Sequence, residues 1–464
     1  MRSQSLHSVI KNGTIVTASD SYHADIGIKD GKIAVIAKNL VADNAEIIDA
    51  QNKYVFPGGI DVHTHLDLPV SGTFSKDDFA TGTIAAACGG TTTVIDFCTQ
   101  DKGKSLNDAL DVWHAKAQGK AVIDYGFHVA ITDMSKEVLT EMQDVIRQGC
   151  PSFKLYMTYA DIRMEDDAIL KDLLQIREHN GLICVHAENH WVIQYLVNKF
   201  IAEGKVEPIY HALSRPPLVE AEATGRAIKL AQIADAPLYI VHLTCQESLQ
   251  EVVRARECGS KIMAETCPQY LLLSEENYRA PNFEGAKYVI SPPLRPKENQ
   301  EKLWRALAGN QLQVISTDHC PFDFNGQKDR GRDSFAKIPG GVAGIEARMA
   351  LIFDRGVNAG KITVNRFVEL TATNPAKIFG LYPQKGSIIV GGDADLVVFD
   401  PLLTKTISKA ILHENVDYTP YEGFKVTGYP TLTMSRGKII VKDGNFVGQK
   451  GAGQFVKRKN LMVI

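Results

Sequence analysis

Two textures of apolar spacing alternate along the chain. Over residues 1–55, short runs in which apolar and polar side chains take turns are punctuated by Asn, Asp and Gly: 8–16 (SVIKNGTIV), 24–29 (ADIGIK), the Asp30-Gly31 turn, 32–37 (KIAVIA) and 46–49 (EIID). A period of two with turn residues between the runs predicts half-buried strands. The same texture returns near the other end, at 386–390, the Gly391-Gly392 turn, 394–399, 431–434 and 438–441. Strands need partners, so the two ends together predict one small β-sandwich.

Between them the pattern changes. Apolar runs recur at 54–62, 91–97, 125–131, 152–157, 181–186, 237–243, 261–266 and 311–317, with helical stretches such as 105–118 and 164–179 following them. Eight β/α units rich in Val and Ile predict a parallel (β/α)8 barrel of the TIM type rather than an open sheet. The expected division is an N-terminal part of the sandwich at 1–55, the barrel at 56–380, the C-terminal part of the sandwich at 381–445, and a tail at 446–464 available for subunit contact. In such a barrel the chemistry belongs at the C-terminal ends of the strands.

Composition narrows the classes of function. With 464 residues and 44% hydrophobic content the chain can bury a large core and exceeds one compact unit. Lys plus Arg number 51 against 54 for Asp plus Glu, a net charge of −3, which provides no field for polyanions and argues against nucleic acid as a partner. The N-terminus reaches the Asn12-Gly13 turn before any signal-like apolar run, and no run of about 18 apolar residues occurs, so neither secretion nor a membrane is expected and the cytoplasm is. Eight cysteines are dispersed without CxxC pairs, which suggests neither a disulfide framework nor a zinc ribbon. The run Lys457, Arg458, Lys459 reads as a solvated tail or subunit contact.

The candidate chemistry sits where the barrel rule puts it. The first strand ends in His63-Thr64-His65, two imidazoles at a spacing that projects both to one side. HxH alone is a weak signal. It gains weight from His186 at the end of strand five, His242 at the end of strand six and Asp318 just after strand eight. Lys154 stands mid-strand between the apolar Phe153 and Leu155. An ammonium there costs several kcal/mol unless paired or neutralised. It is either buried beside a carboxylate or, beside these histidines, a neutral amine that captures carbon dioxide and becomes a carbamate bridging two metals.

The stretches GGIDVHTHL (58–66), SFKLYMTY (152–159), VHAEN (185–189), VHLT (241–244), ETCPQYL (265–271), SPPLR (291–295) and STDHCPF (316–322) resemble the dihydropyrimidinase and hydantoinase family of the amidohydrolase superfamily, nearly end to end. The resemblance implies one zinc held by His63, His65 and Asp318, another by His186 and His242, and a bridging carboxylated Lys154. It implies hydrolytic opening of dihydropyrimidine or hydantoin rings to N-carbamoyl amino acids by a metal-bridging hydroxide. Asp318 would shuttle the proton, Tyr159 would bind the oxyanion, and backbone groups near Ser291 and Gly340 would hold the ring amide. A homotetramer is usual in the family. One departure stands out: Ile338-Pro339-Gly340-Gly341 replaces the family's Ile-Pro-Asn-Gly. Alternative readings are an allantoinase or dihydroorotase, the latter requiring a basic anchor for its substrate's carboxylate, and a non-enzymatic scaffold like the collapsin-response mediators.

Other polar residues near strand ends are assigned no chemistry. Asp96, His128, Glu265 and Cys267 are expected to be packing or orienting groups. His319 is expected to be a loop residue turned away from Asp318, and His190 to lie on a solvated face.

Overall fold

A computed structural model describes residues 6–41, 44–70, 72–459 and 461–464; positions 1–5, 42, 43, 71 and 460, parts of the segments read above, lie outside the described residues. Eight strands, Gly59–Thr64, Thr91–Thr99, Asp124–Ala130, Ser152–Tyr156, Leu182–His186, Leu238–Ile240, Ile262–Thr266 and Val314–Ile315, run parallel in chain order around one sheet. Their residues are buried almost throughout, because one face meets the filled interior and the other a ring of helices. In Ser152–Tyr156 the pleat sends Phe153 and Leu155 to the outer core and leaves Lys154 and Tyr156 lining the interior cavity. The helix Leu106–Ala117 begins at a capping box, in which Ser105 accepts from the Asp108 N–H and the Asp108 carboxylate accepts from the Ser105 N–H.

The barrel closes without a ladder between its last and first strands, among the described residues. Side chains and one isolated backbone bridge, Thr64 with His319, close it instead. Arg348, wholly buried, donates through Nη1 to Ile60 O (3.0 Å) in the first strand and Ile315 O (2.9 Å) in the eighth, and through Nη2 to Thr91 Oγ1 (2.9 Å). Nearer the mouth, Asp61 accepts from the Thr317 N–H (3.2 Å) and hydroxyl (2.6 Å), and the His65 N–H donates to His319 O (2.9 Å). This seam carries His63 and His65 on one side and Asp318 on the other.

The chain ends build the sandwich. Ser8–Lys11, Asp25–Lys29, Lys32–Ala37 and Glu46–Asp49 make a four-stranded sheet. Thr14–Val16, Ser21–His23 and Tyr54–Pro57 join Leu396–Thr406, Lys425–Ser435, Lys438–Lys442 and Asn445–Phe446 in a seven-stranded one. Ile10, Ile26 and Ile28 from the first sheet pack on Val55, Leu396, Val398 and Met434 from the second.

Several expectations need correction. The run 54–62 is two strands, because the chain leaves the sandwich at Pro57 and enters the barrel at Gly59. A Cβ on Gly58 between them would lie 2.0 Å from Thr92 Oγ1, so only glycine lets the segments pass there. The run 8–16 is likewise split, at Asn12 with φ of 65°, which feeds its halves to different sheets. Residues 386–390 form an irregular connection with bends and a turn rather than a strand. Arg458 is not solvated: it is buried at the N-terminal end of the barrel, donating to Phe127 O and to Ser152 Oγ (2.8 Å), while Lys457 and Lys459 stay exposed.

Replacing Arg348 by Met roughly keeps volume and removes the guanidinium donors from the seam, which leaves the Ile60 and Ile315 carbonyls without that partner. Unfolding in denaturant should then show a loss of about 2–4 kcal/mol. An unchanged midpoint would show that the seam does not depend on Arg348.

Candidate metal centre

All nine residues singled out from the sequence, His63, His65, Lys154, Tyr159, His186, His242, Ser291, Asp318 and Gly340, line one cavity of about 550 Å³ at the C-terminal mouth of the barrel. His63 Nε2 and His65 Nε2 stand 3.1 and 3.2 Å from the same oxygen, Oδ1 of Asp318. The His63 and His242 rings are 5.3 Å apart, and those of His186 and His242 4.6 Å apart. His63, His242 and Asp318 each offer a ligand atom within 4.8 Å of the others.

Lys154 is 1% exposed. Its Nζ lies 4.8 Å from the centre of the Phe97 ring and 5.2 Å from that of Tyr156, and among the described residues it has no ion-pair partner. Burial pushes its pKa down to about 8, against a weaker opposing pull from Asp318. The reading of a lysine paired with a neighbouring carboxylate therefore loses its partner. A neutral amine is the form that reacts with carbon dioxide.

The surrounding groups favour cation binding. Burial holds His65 down to about 4 and lowers His186 and His242, which keeps these imidazoles unprotonated. Burial also opposes a charge on His63, but the Asp318 and Glu265 carboxylates outweigh it and raise that ring to about 9. Asp318 stays anionic despite burial because His63 lies against it. His63 Nε2, His65 Nδ1 and His242 Nδ1 are buried without hydrogen-bond partners among the described residues. Buried imidazoles with unsatisfied nitrogens beside a carboxylate, those of His65 and His242 neutral and that of His63 able to exchange its proton for a cation, are the donor set that divalent metals take, so these residues fit such a centre. Three cavity residues hold left-handed backbone, Tyr159 (φ 74°), His242 (φ 38°) and Asp318 (φ 54°); strain of this kind is maintained where surrounding structure forces a geometry.

The remaining ring nitrogens are oriented by carboxylates. Glu265 Oε1 accepts from His63 Nδ1 and from the His242 N–H (3.2 Å), while its Oε2 accepts from the Tyr239 hydroxyl (2.9 Å). Glu188 Oε2 lies 2.7 Å from His186 Nε2 and accepts from Arg215 Nη1 (2.8 Å). Glu188 and Arg215 were missed in the sequence. Glu188 had a signal, since it stands two residues after His186 in VHAEN; Arg215, on a connection between helices, had none.

Glu265 thus has the orienting role expected of it, whereas Asp96, His128 and Cys267 make no hydrogen bond, among the described residues, to the side chain of a candidate ligand. Asp96 accepts from Thr64 Oγ1, the Leu66 N–H and Trp113 Nε1, which pins the chain following His65. His128 has both nitrogens engaged, by Ser152 Oγ and Val62 O. Burial raises the Cys267 thiol well above its usual range. His319 turns away from the cavity to Asp77 Oδ2 (3.0 Å). His190 corrects the sequence reading: it is 6% exposed, at the start of its helix beside Trp191, not on a solvated face.

The amidohydrolase family profile matches residues 54–440. The chain is 54% identical to a D-hydantoinase of Geobacillus stearothermophilus over 452 residues, 97% of this chain and 96% of that one. It is 51% identical to a D-hydantoinase of Ralstonia pickettii, over 97% and 98%. A crystal structure of dihydropyrimidinase from Brevibacillus agri NCHU1002 superposes with a TM-score of 0.97 at 50% identity, covering 98% of this chain and 99% of that one.

Glu265→Gln keeps the shape of the side chain but removes its charge. Chelator competition should show metal affinity lower by about 10–100-fold with the fold intact. Unaltered affinity would mean that Glu265 only packs.

Proposed function

The chain belongs to the amidohydrolase family, and from that premise we propose that it opens the rings of 5,6-dihydropyrimidines and hydantoins by hydrolysis, giving N-carbamoyl amino acids. One observation carries this reading: four histidines, an aspartate and a buried lysine without an ion-pair partner among the described residues, from five barrel strands and the residues just after them, share one cavity mouth. His63, His65 and Asp318 would hold one divalent ion and His186 and His242 a second, with Lys154, carboxylated by carbon dioxide, shared between them. Zinc suits the nitrogen and oxygen donors best. When bound, such a pair lowers the pKa of water to roughly 7 and polarises an amide carbonyl.

The chain's own groups do the rest. Asp318 takes the proton of the attacking water and delivers it to the departing ring nitrogen. The hydroxyl of Tyr159, which burial keeps protonated, donates to the oxygen that gains charge in the tetrahedral state. Backbone groups at Ser291 and Gly340 hold the ring amide. Leu68, Ile193, Val197, Phe335 and Ile338 give the outer cavity an apolar wall for a ring substituent. Arg215, the guanidinium lining the cavity, is paired with Glu188, which leaves it poorly suited to anchor the carboxylate a dihydroorotase must bind. Eight free cysteines, seven of them buried, fit a reducing cytoplasm, and the family resemblance supports a homotetramer.

The glycine pair is not equivalent. A Cβ on Gly340 meets nothing closer than Ser291 Oγ at 3.4 Å, so a side chain can start there without a clash; one on Gly341, at φ of 152°, would lie 2.2 Å from Cys320 O. Gly340→Asn should therefore fold with wild-type stability and Gly341→Ala should lose about 1–3 kcal/mol or more. Equal melting of the two variants would contradict this.

For the reaction, kcat/KM across dihydrouracil, hydantoin, 5-substituted hydantoins, allantoin and dihydroorotate should favour the first three. Lys154→Ala should reduce turnover by at least about a thousandfold, with partial rescue by short carboxylic acids. Full activity of that variant without added acid would exclude the carbamate.

A further inference from the structure

Away from the catalytic cavity, one cluster of ligand-type side chains has no part in the chemistry above. It joins Cys88, the last residue of the helix Thr81–Cys88, to Glu346, two residues before the seam arginine Arg348, and to His413, between the sandwich strands Leu396–Thr406 and Lys425–Ser435. Each offers one ligand atom within 4.8 Å of the others. None of the three lines the cavity that gathers His63 and Asp318. Sulfur, carboxylate oxygen and imidazole nitrogen from three segments remote in sequence make a more specific set than a run of acids or an isolated thiol.

Contacts that do not involve the thiol hold these segments together. A Cβ on Gly89 would lie 2.3 Å from Glu346 O, so the end of the helix meets the backbone of Glu346 directly. The Thr433 hydroxyl donates to Ala87 O (2.8 Å), which ties the same turn to the sandwich. His413 aims Glu346: its backbone N–H donates to Oε2 (2.6 Å) and its Nδ1 lies 2.9 Å from Oε1. Cys88 and Glu346 are buried, whereas the His413 side chain is 33% exposed, so solvent reaches the cluster past the imidazole.

Negative charge there is poorly compensated. A second buried carboxylate, Glu414, has its Oε1 3.4 Å from the Glu346 backbone nitrogen, and burial raises both acids. Among the described residues His413 is the one side chain that forms an ion pair with Glu346. Lys405 holds its ammonium over the Tyr429 ring (4.2 Å), and Lys409 directs its own to the carbonyls of Leu412 and Glu414. Burial, with Glu346 adding to it, raises the Cys88 thiol, which therefore keeps its proton as long as no cation is near. A divalent ion reverses both costs, since it neutralises the acids and takes the thiol as thiolate.

We propose that Cys88, Glu346 and His413 bind one zinc-class divalent ion as a structural site, joining the barrel's first helix, the segment leading into Arg348 and the sandwich. A bond forms between the ion and Cys88 Sγ as the S–H bond breaks and its proton passes to solvent. One nitrogen of His413, one oxygen of Glu346 and a water complete the four ligands that zinc prefers. Sulfur and nitrogen donors favour zinc over magnesium or calcium. The ion stabilises the fold beside the barrel seam and takes no part in turnover.

Cadmium is the probe, because its bond to a thiolate absorbs in the ultraviolet. Enzyme carrying its catalytic metals is dialysed without chelator and titrated with cadmium, and total metal is counted against the untreated sample. The wild-type chain should gain one ion together with the thiolate band. Cys88→Ala should lose the band, and His413→Ala, altered at an exposed position, should bind the ion at least about tenfold more weakly. Zinc added to the loaded enzyme should raise the melting temperature of the wild type and leave that of His413→Ala unmoved. No net gain of metal, a gain without the band, or a band that persists in Cys88→Ala, as an ion on another thiol would give, overturns the site. Equal affinity and equal melting shifts in wild type and His413→Ala overturn it as well, and that comparison decides the matter should Cys88→Ala fail to fold.

Discussion

The constraint on which this structure turns is the cost of burying Lys154 without a counter-charge. An amine 1% exposed in a barrel interior, with aromatic rings as its near neighbours and no ion-pair partner among the described residues, is costly to keep charged and holds its proton less tightly than a free lysine. Conversion to a carbamate, as proposed above, would supply an anion where His63, His65, His186, His242 and Asp318 offer donors, and two cations would then satisfy a site that otherwise leaves buried nitrogens unpartnered. The desolvation that makes the lysine expensive also makes it reactive.

The rest of the fold keeps these groups in register. The barrel's first and last strands are joined by Arg348 and Asp61 rather than by a ladder, so the side chains of the seam set the distance between the His63-Thr64-His65 run and Asp318. Glu265 holds Nδ1 of His63 and Glu188 holds Nε2 of His186, which fixes both rings and leaves the other nitrogen of each without a hydrogen bond to a carboxylate of this pair. Left-handed backbone at Tyr159, His242 and Asp318 shows how closely the loops are made to conform.

Much of this was legible in the residue pattern because it is periodic. Alternation located the strands, and strand ends located the histidines, so the cavity gathered residues separated by up to 277 positions, from His63 to Gly340. What escaped the pattern depends on contacts between distant segments. The break at Gly58 is enforced by Thr92, the burial of Arg458 by Phe127 and Ser152, and the irregular connection at 386–390 shows no departure in composition from a strand. Arg215 reaches the site from a connection between helices, where no period points to it. The tail's charge run misled for the same reason: composition marks Lys457, Arg458 and Lys459 alike, and only the packed barrel end distinguishes the middle one.

The most direct measurement of the central claim is carbon-13 NMR of enzyme equilibrated with labelled bicarbonate, paired with elemental analysis of the same sample purified without chelator. The account requires one carbamate signal per chain, absent from the Lys154→Ala variant, together with two divalent ions per chain. Two bound ions with no carbamate, or a carbamate that survives loss of Lys154, would contradict it.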